Sequence, residues 1–324
     1  MVPPKRLVNR RLRLRGRNRL FRFAYTVFMG THPLERRSQK RAMAARLGSK
    51  TVVSLVLVAL VIVGCAAPTV EVTAIANEGF LIRSAARTVL VDALFRATAP
   101  YPEFFSQGPS EDLVRQMVAG EGVFGRIDLA LVTHSDGDHF HAGTAFEFLE
   151  NHPETLLVGT GDVREALSSI EGFEAVAERV KAPVRTHGSC EHIEHRGIDV
   201  SACWVWHSGG REVANNIYIV DIDGFRFLHE GDADRSPATF SALELPEQGL
   251  DLAFMHDWFV LNDGREILTN TLQPRAVVFM HHRWGRAEET RQRVEQLLVE
   301  EPSNLPPITV FGSELESVTY FPHP

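Results

Sequence analysis

The feature that most constrains this chain is the run Val132-Thr133-His134-Ser135-Asp136-Gly137-Asp138-His139-Phe140, which follows the apolar stretch Ile127 to Val132. Such a stretch reads as a buried strand. Just where it runs out, four side chains able to ligate a metal fall within residues 134–139. His134 and Asp136 alternate as if prolonging the strand, so both point the same way. Gly137 permits a backbone reversal that a Cβ would resist, and Asp138 and His139 then face the same spot from beyond the turn. Imidazole nitrogen and carboxylate oxygen are donors that Zn²⁺, Fe²⁺ and Mn²⁺ accept. A solvated polar loop accounts for one or two such residues. Four in this order at a strand end point to a metal centre.

A second signal lies at Thr51-Val52-Val53-Ser54-Leu55-Val56-Leu57-Val58-Ala59-Leu60-Val61-Ile62-Val63-Gly64-Cys65. The apolar run is short for a membrane span and of the right length for a signal-peptide core. Its end, Ile62-Val63-Gly64-Cys65, resembles the bacterial lipobox, which implies lipidation of Cys65. Arg46 and Lys50 supply the positive flank, and Ala66-Ala67-Pro68-Thr69 reads as a tether. The alternative is an uncleaved single-pass anchor. Either one carries the rest of the chain out of the cytoplasm, and Ala66 lacks the aspartate associated with inner-membrane retention, so outer-membrane sorting is expected in a two-membrane cell. Residues 1–42 are Arg-dense, but Met43-Ala44-Ala45-Arg46 opens a normally proportioned signal. We therefore read 43–65 as a lipoprotein signal peptide and 1–42 as a basic segment that is not translated.

Charge changes sign once these residues are set aside. Residues 1–65 hold fifteen of the 34 basic and one of the 41 acidic residues, so the remainder carries 19 basic against 40 acidic, a net −21. Such a surface repels polyanions, which argues against a nucleic-acid partner. The remaining ~260 residues suffice for one large domain with a substantial core. Cys190 and Cys203 stand close in sequence, either as a pair outside the cytoplasm or as two half-buried thiols.

From Val70 to the end there is no internal linker or repeat. Strands are expected at Val70–Ala76, Gly79–Arg83, Thr88–Val91, Ile127–Val132, Leu156–Val158, Gly197–Trp206, Asn216–Asp221, Phe225–His229, Leu252–Met255, Ala276–Met280, Ile308–Phe311 and Ser317–Tyr320. Helices are expected at Glu111–Ala119, Ala142–Asn151, Val163–Ser168, Ser236–Ala242, Arg265–Leu272 and Ala287–Glu300. Strands leading in each half with helices interspersed suggest an α/β sandwich of two mixed sheets with helices outside.

Three more polar residues stand at strand ends: His207 after Cys203-Trp204-Val205-Trp206, Asp232 after His229-Glu230-Gly231, and His281 after Val277-Val278-Phe279-Met280. Singly, each has a bland reading as a core histidine or a turn former. Together with the 134–139 loop they resemble, in order, the metallo-β-lactamase-fold hydrolases. The closest likeness is to the branch of ascorbate-phosphate lactonase-like proteins and N-acyl-phosphatidylethanolamine phospholipase D, with Leu90-Val91-Asp92 as its early strand. The resemblance spans 70–324 and implies a four-layer αββα sandwich.

Carried onto this chain, the resemblance implies one metal held by His134, Asp136 and His207, and a second held by Asp138, His139 and His281. Asp232 bridges them, and Asp92 steadies the loop without binding metal. His282 competes with His281 for the last place. The departure is Asp136, where the family has histidine. Two dications against Asp136, Asp138, Asp232 and hydroxide give a formally neutral site instead of about +1, which implies a weaker pull on phosphate-like anions. Zinc is expected, with iron or manganese favoured by the extra oxygen donor; alternatively one position goes unused.

The implied activity is a lipid-anchored hydrolase using a metal-bound hydroxide on an ester, lactone, amide or phosphodiester. The substrate would be a small or lipid-like molecule, with Asp138 or Asp232 orienting the nucleophile. His229, Glu230, Asp234, His256 and Asp257 are candidate proton donors or substrate contacts, and Phe104, Phe105, Trp258 and Trp284 are candidate pocket walls. His141 either faces the site or caps the next helix; His187, His192 and His195 read as a solvated hairpin. The alternatives are an iron-dependent oxidoreductase on the same fold and a degenerate metal-binding lipoprotein.

Overall fold

The computed structural model describes residues 69–96, 108–183, 186–261, 264–300 and 305–322, apart from the side chains of residues 257 and 261. The basic segment, the signal segment with Cys65, the first tether residues and Phe104 and Phe105 lie outside the described residues. All the described ones belong to the unit Ala66–Pro324.

The strands are, in chain order, β1 (Val70–Ala76), β2 (Gly79–Arg83), β3 (Thr88–Val91), β4 (Leu129–Leu131), β5 (Leu156–Val158), β6 (Val180–Lys181), β7 (Cys190–His195), β8 (Ile198–Trp206), β9 (Ala214–Ile222), β10 (Phe225–His229), β11 (Leu252–Met255), β12 (Val277–Phe279), β13 (Ile308–Val310) and β14 (Ser317–Tyr320). They form two seven-stranded sheets, ordered β14-β1-β2-β3-β4-β5-β6 and β13-β12-β11-β10-β9-β8-β7. Both are mixed: β3 through β6 run parallel, as do β10 through β13, while the remaining pairs are antiparallel.

Two-residue alternation decides which layer each side chain joins. In β4, Leu129 and Leu131 enter the core between the sheets, with Tyr218, Phe227, Phe254 and Val278 from the second sheet. Ala130 points the other way, into a cluster with Leu113 and Met117 of helix α1 (Glu111–Ala119) and Phe148 of helix α2 (Ala142–Asn151). Leu228 and Phe279 likewise turn outward, onto Phe240, Phe259 and Val294. Strands apolar on both faces must be covered on both, which yields the expected helix–sheet–sheet–helix arrangement. Tyr218 is fully buried; its hydroxyl lies 2.8 Å from Val132 O and 3.0 Å from Val158 O, tying β9 to the ends of β4 and β5.

Element boundaries differ where tertiary pairing, not local pattern, decides. The β4 ladder covers only Leu129–Leu131 of the expected Ile127–Val132. The polar run Cys190–His195, whose histidines read as part of a solvated hairpin, is the edge strand β7, paired antiparallel with β8 and exposing Glu191, His192 and Glu194. Its Cys190 lies opposite Cys203 of β8, and the two form a disulfide. Ile267–Leu272 winds as a π-helix. Among the described residues no helix is long and apolar enough to cross a membrane.

This topology delivers chemistry to one rim. The residues just past the carboxyl ends of the parallel strands β3, β4, β10, β11 and β12 include Asp92, His134, Glu230, His256 and His281. In open parallel sheets that rim is where ligands bind.

Candidate metal centre

His134, His139, His207 and His256 each have their Nδ1 engaged and their Nε2 turned to a common centre. Asp92, in the left-handed region at φ 42°, accepts from Thr133 N (2.7 Å), Thr133 Oγ1 (2.5 Å) and His139 Nδ1 (2.9 Å). The Thr133 oxygen in turn lies 3.0 Å from His134 Nδ1. His207 Nδ1 donates to Ser208 O at 2.8 Å. A carbonyl or carboxylate on one ring nitrogen fixes the tautomer and leaves the other as a lone pair for a cation.

The sequence-predicted ligands converge in two groups. His134, Asp136 and His207 offer donors within 4.8 Å of one another, and so do Asp138, His139 and His281. Asp232 lies between them: its Oδ2 is 3.0 Å from His207 Nε2, and its Oδ1 is 3.5 Å from His139 Nε2. It is held by the turn at Gly231, whose φ is 58°; a Cβ there would collide with Asn215 and Thr133. His281 also adopts a left-handed φ of 52°, which turns its ring to within 3.5 Å of Asp138 Oδ2. His282 points away, 2.7 Å from Phe311 O.

Four contributors were not anticipated as part of this cluster. Glu78, in the β1–β2 turn, is fully buried and places Oε1 2.9 Å from His256 Nε2. His256, expected as a proton donor or substrate contact, has its backbone N–H and its Nδ1 on Glu230 Oε1, at 2.8 and 2.9 Å, and its Nε2 3.2 Å from Asp232 Oδ1. Asn77 donates to Asp138 Oδ2 at 3.3 Å. Arg211 grips both oxygens of Asp136. No local pattern marks Glu78 or Arg211: one reads as a turn residue, the other as a loop cation.

Electrostatics and satisfaction test whether the residues fit cations. His134 Nε2, His139 Nε2, His256 Nε2, Asp232 Oδ1 and both oxygens of Glu78 are buried with no hydrogen-bond partner. Such atoms cost about 1–3 kcal/mol each, more when charged, so a cluster of this kind persists only if something compensates it. Burial is the largest influence on each group, and the departures from it are informative. It opposes charge on His139, yet Asp138, Asp232 and Asp92 lift that ring's pKa to about 10. Burial and the neighbouring Asp232, Asp92 and Glu230 push Glu78 well above the usual carboxylate range. Burial overrides the pull of Asp232 on His256, lowering it to about 3 and leaving a neutral imidazole. Against burial, His134 and Arg211 hold Asp136 well below its ordinary value. Excess carboxylate thus draws protons into the cluster, and divalent cations are the better match for the same donors.

Other candidates fall outside the cluster. His229 is not free to move a proton: it is fully buried, its Nε2 lies 3.1 Å from Glu78 O, and its Nδ1 accepts from Gly231 N. Glu230 orients His256 from the side away from the centre. Asp234 accepts from Ser236 N and Thr239 Oγ1 at the start of a short helix. His141 caps α2, accepting from Thr144 N. Trp258 stacks on His256 at 3.9 Å between ring centres, whereas Trp284 packs in the core. Asp257 opens a helical turn. His187 stacks on Trp206, and His192 reaches Glu244.

Residues 71–281 match the family described as Beta-lactamase superfamily domain. No curated protein matches the chain significantly. Among solved structures, Igni18, a metallo hydrolase from the archaeon Ignicoccus hospitalis KIN4/I, has 18% identity and a TM-score of 0.51 over 78% of this chain and 98% of its own. The metallo-β-lactamase fold protein YhfI from Bacillus subtilis has 11% identity and a TM-score of 0.50 over 78% and 99%. CmlA, a diiron β-hydroxylase from Streptomyces venezuelae, has 14% identity and a TM-score of 0.48 over 79% and 54%. At these identities the likeness is one of fold. The family match, two mixed sheets and a rim of converging histidines and carboxylates agree: the chain belongs to the Beta-lactamase superfamily domain family and has the metallo-β-lactamase fold, with a candidate metal centre on its rim.

Proposed function

We propose that this protein is a lipid-anchored hydrolase outside the cytoplasm, acting on a neutral acyl substrate (an ester, lactone or amide) in preference to a phosphodiester. One observation carries the substrate class: four carboxylates, Glu78, Asp136, Asp138 and Asp232, face the positions the cations would take. Before any hydroxide is counted they already balance two dications, so no net positive charge is left to attract a phosphate, and Asp136 in place of histidine contributes to that balance. When bound, two divalent cations supply a Lewis acid and water acidified towards neutrality.

The chain's own residues do the rest. His134, Asp136 and His207 would hold one cation, and Asp232 would reach both positions. Asp138, steadied by Asn77, is the least buried aspartate oxygen beside His281 and is placed to accept a proton at Oδ2. Beside His207 lies a cavity of about 590 Å³ lined by Trp206, Gly209, Gly210, Arg211 and Arg235. Trp206 is 39% exposed there and offers an apolar wall to the acyl portion. Arg211, paired with Asp136, is neutralised as an anion receptor.

Protein beginning at residue 66, loaded with Zn²⁺ or Mn²⁺, should hydrolyse p-nitrophenyl esters or a γ-lactone faster than bis-p-nitrophenyl phosphate, and lose both activities in chelator. Faster phosphodiester turnover would reject the substrate class. The oxygen-rich donor set also favours a second reading, iron-dependent oxidation; native protein holding iron and consuming O₂ would establish it. For the anchor, the support is the lipobox-like Cys65, and a disulfide between Cys190 and Cys203 suits an oxidising compartment. Cys65→Ser should move the protein from the membrane to the soluble fraction, and unchanged membrane association would reject lipidation.

A further inference from the structure

The sequence motif assigns the second cation to Asp138, His139 and His281. We infer that it instead binds deeper, on Glu78 Oε1, Asp232 Oδ1, His256 Nε2 and His281 Nε2, a site that rests on the metal-centre reading above.

These four donors lie within 4.8 Å of one another. Glu78 Oε1 is 2.9 Å from His256 Nε2 and 3.8 Å from His281 Nε2, and His256 Nε2 is 3.2 Å from Asp232 Oδ1. Bonds of about 2.0–2.2 Å to one ion separate neighbouring donors by roughly 3–3.6 Å, so modest movement closes the set.

His256 has the preparation of a ligand. Glu230 accepts from its Nδ1 and its backbone N–H, so the ring cannot rotate and Nε2 carries the lone pair. Asp92 treats His139 in the same way on the facing sheet. His229, at the end of the neighbouring strand, has both nitrogens on backbone groups and lacks that preparation.

Glu78 sits among the ring nitrogens of the cluster, 2.9 Å from His256, 3.7 Å from His139 and 3.8 Å from His281. Its carboxylate is completely buried, both oxygens lack a hydrogen-bond partner, and among the described residues it pairs with no lysine or arginine. A buried carboxylate in that condition calls for a cation. Asp232 completes the argument by dividing its oxygens: Oδ2 faces His207 and the first position, while Oδ1 faces His256 and the inner one. His281 belongs to both possible second sites, and one ring nitrogen has one lone pair, so the two sites are alternatives. With the cation inside, Asp138 stays free at the mouth as a proton acceptor.

The test uses Zn²⁺ or Mn²⁺ alone. After dialysis, wild-type protein should retain two equivalents by elemental analysis, whereas Glu78→Gln and His256→Gln should each retain one, or bind the second at least 100-fold more weakly. Two equivalents held within threefold of wild-type affinity in both variants would overturn the inner site while leaving the metal centre standing. Wild-type protein that binds no metal would overturn both. Anomalous diffraction from loaded wild-type crystals decides independently of variant folding. A peak about 2.0–2.2 Å from Glu78 Oε1 and His256 Nε2 supports the site, and one against Asp138 and His139, with Glu78 outside its shell, rejects it.

Discussion

Replacing Asp92 by asparagine should weaken metal binding without removing a ligand. The two oxygens of Asp92 have separate duties: Oδ1 accepts from Thr133 N at 2.7 Å, and Oδ2 accepts from Thr133 Oγ1 and His139 Nδ1. An asparagine amide must place its oxygen towards Thr133 N, because the opposite flip sets two fixed donors against each other in a fully buried place, at about 1–3 kcal/mol. Its NH₂ then faces His139 Nδ1, which can accept only if the ring proton moves to Nε2. That nitrogen is the one turned to the centre. Loss of such an orienting partner typically costs 10–100-fold in metal affinity, or about 1.4–2.7 kcal/mol. Chelator-competition titration gives the affinity, and ¹⁵N chemical shifts of His139 in the metal-free protein, recorded above the ring's pKa of about 10 where it is neutral, report the tautomer. A variant that keeps its proton on Nδ1 and binds metal within twofold of wild type would refute the reasoning.

Three further outcomes are expected. In metal-free protein the His139 pKa of about 10 stands above its unfolded value near 6.5. Its protonation therefore stabilises the fold fully below pH ~6.5 and is lost as pH rises through about 10. A dication must displace that proton, so apparent affinity should climb about tenfold per pH unit between 7 and 9; a flat profile in competition titrations would contradict it. Arg211 competes with a cation for Asp136 through a pair that is partly solvent-accessible, worth about 0.2–1 kcal/mol. Arg211→Gln should tighten the first position by up to about fivefold, and weaker binding by calorimetry would show that the arginine supports the site instead. Changing Cys190 and Cys203 together to serine removes a cross-link of sequence separation 13. Loss of about 3 kcal/mol in urea unfolding is expected, and unchanged stability would mean that β7 adds little to the fold.

Much of the centre was legible along the chain because its largest part is contiguous. His134 to His139 occupy one turn after one strand, where alternation and a glycine determine direction. Asp92, His207, Asp232 and His281 were readable as polar residues closing apolar runs, and the order of those runs matched a family. Sequence proximity does not fix the register that sets Cys190 opposite Cys203, so the disulfide follows from the fold. That Cys190–His195 forms the edge of the second sheet is likewise decided by pairing: the run exposes Glu191, His192 and Glu194 without alternation, and β8 supplies its hydrogen-bond partners.

His229 and His256 show where sequence reasoning ends. Each closes an apolar strand, and nothing in the neighbouring residues separates them. Position along the strand does: His229 is the last residue of β10 and meets the backbone of Glu78 and Gly231, while His256 lies one residue beyond β11 and meets Glu230, Asp232 and Glu78. Glu78 is more hidden still, one carboxylate in a two-residue turn, made a candidate ligand only by the second sheet that buries it. By itself the sequence determined the layers, the histidine–aspartate turn and the chemistry of its donors, because alternation and turn geometry are local. Which of the remaining donors share a cation was decided only in the folded structure, because burial and the direction of a lone pair arise from residues far apart in the chain.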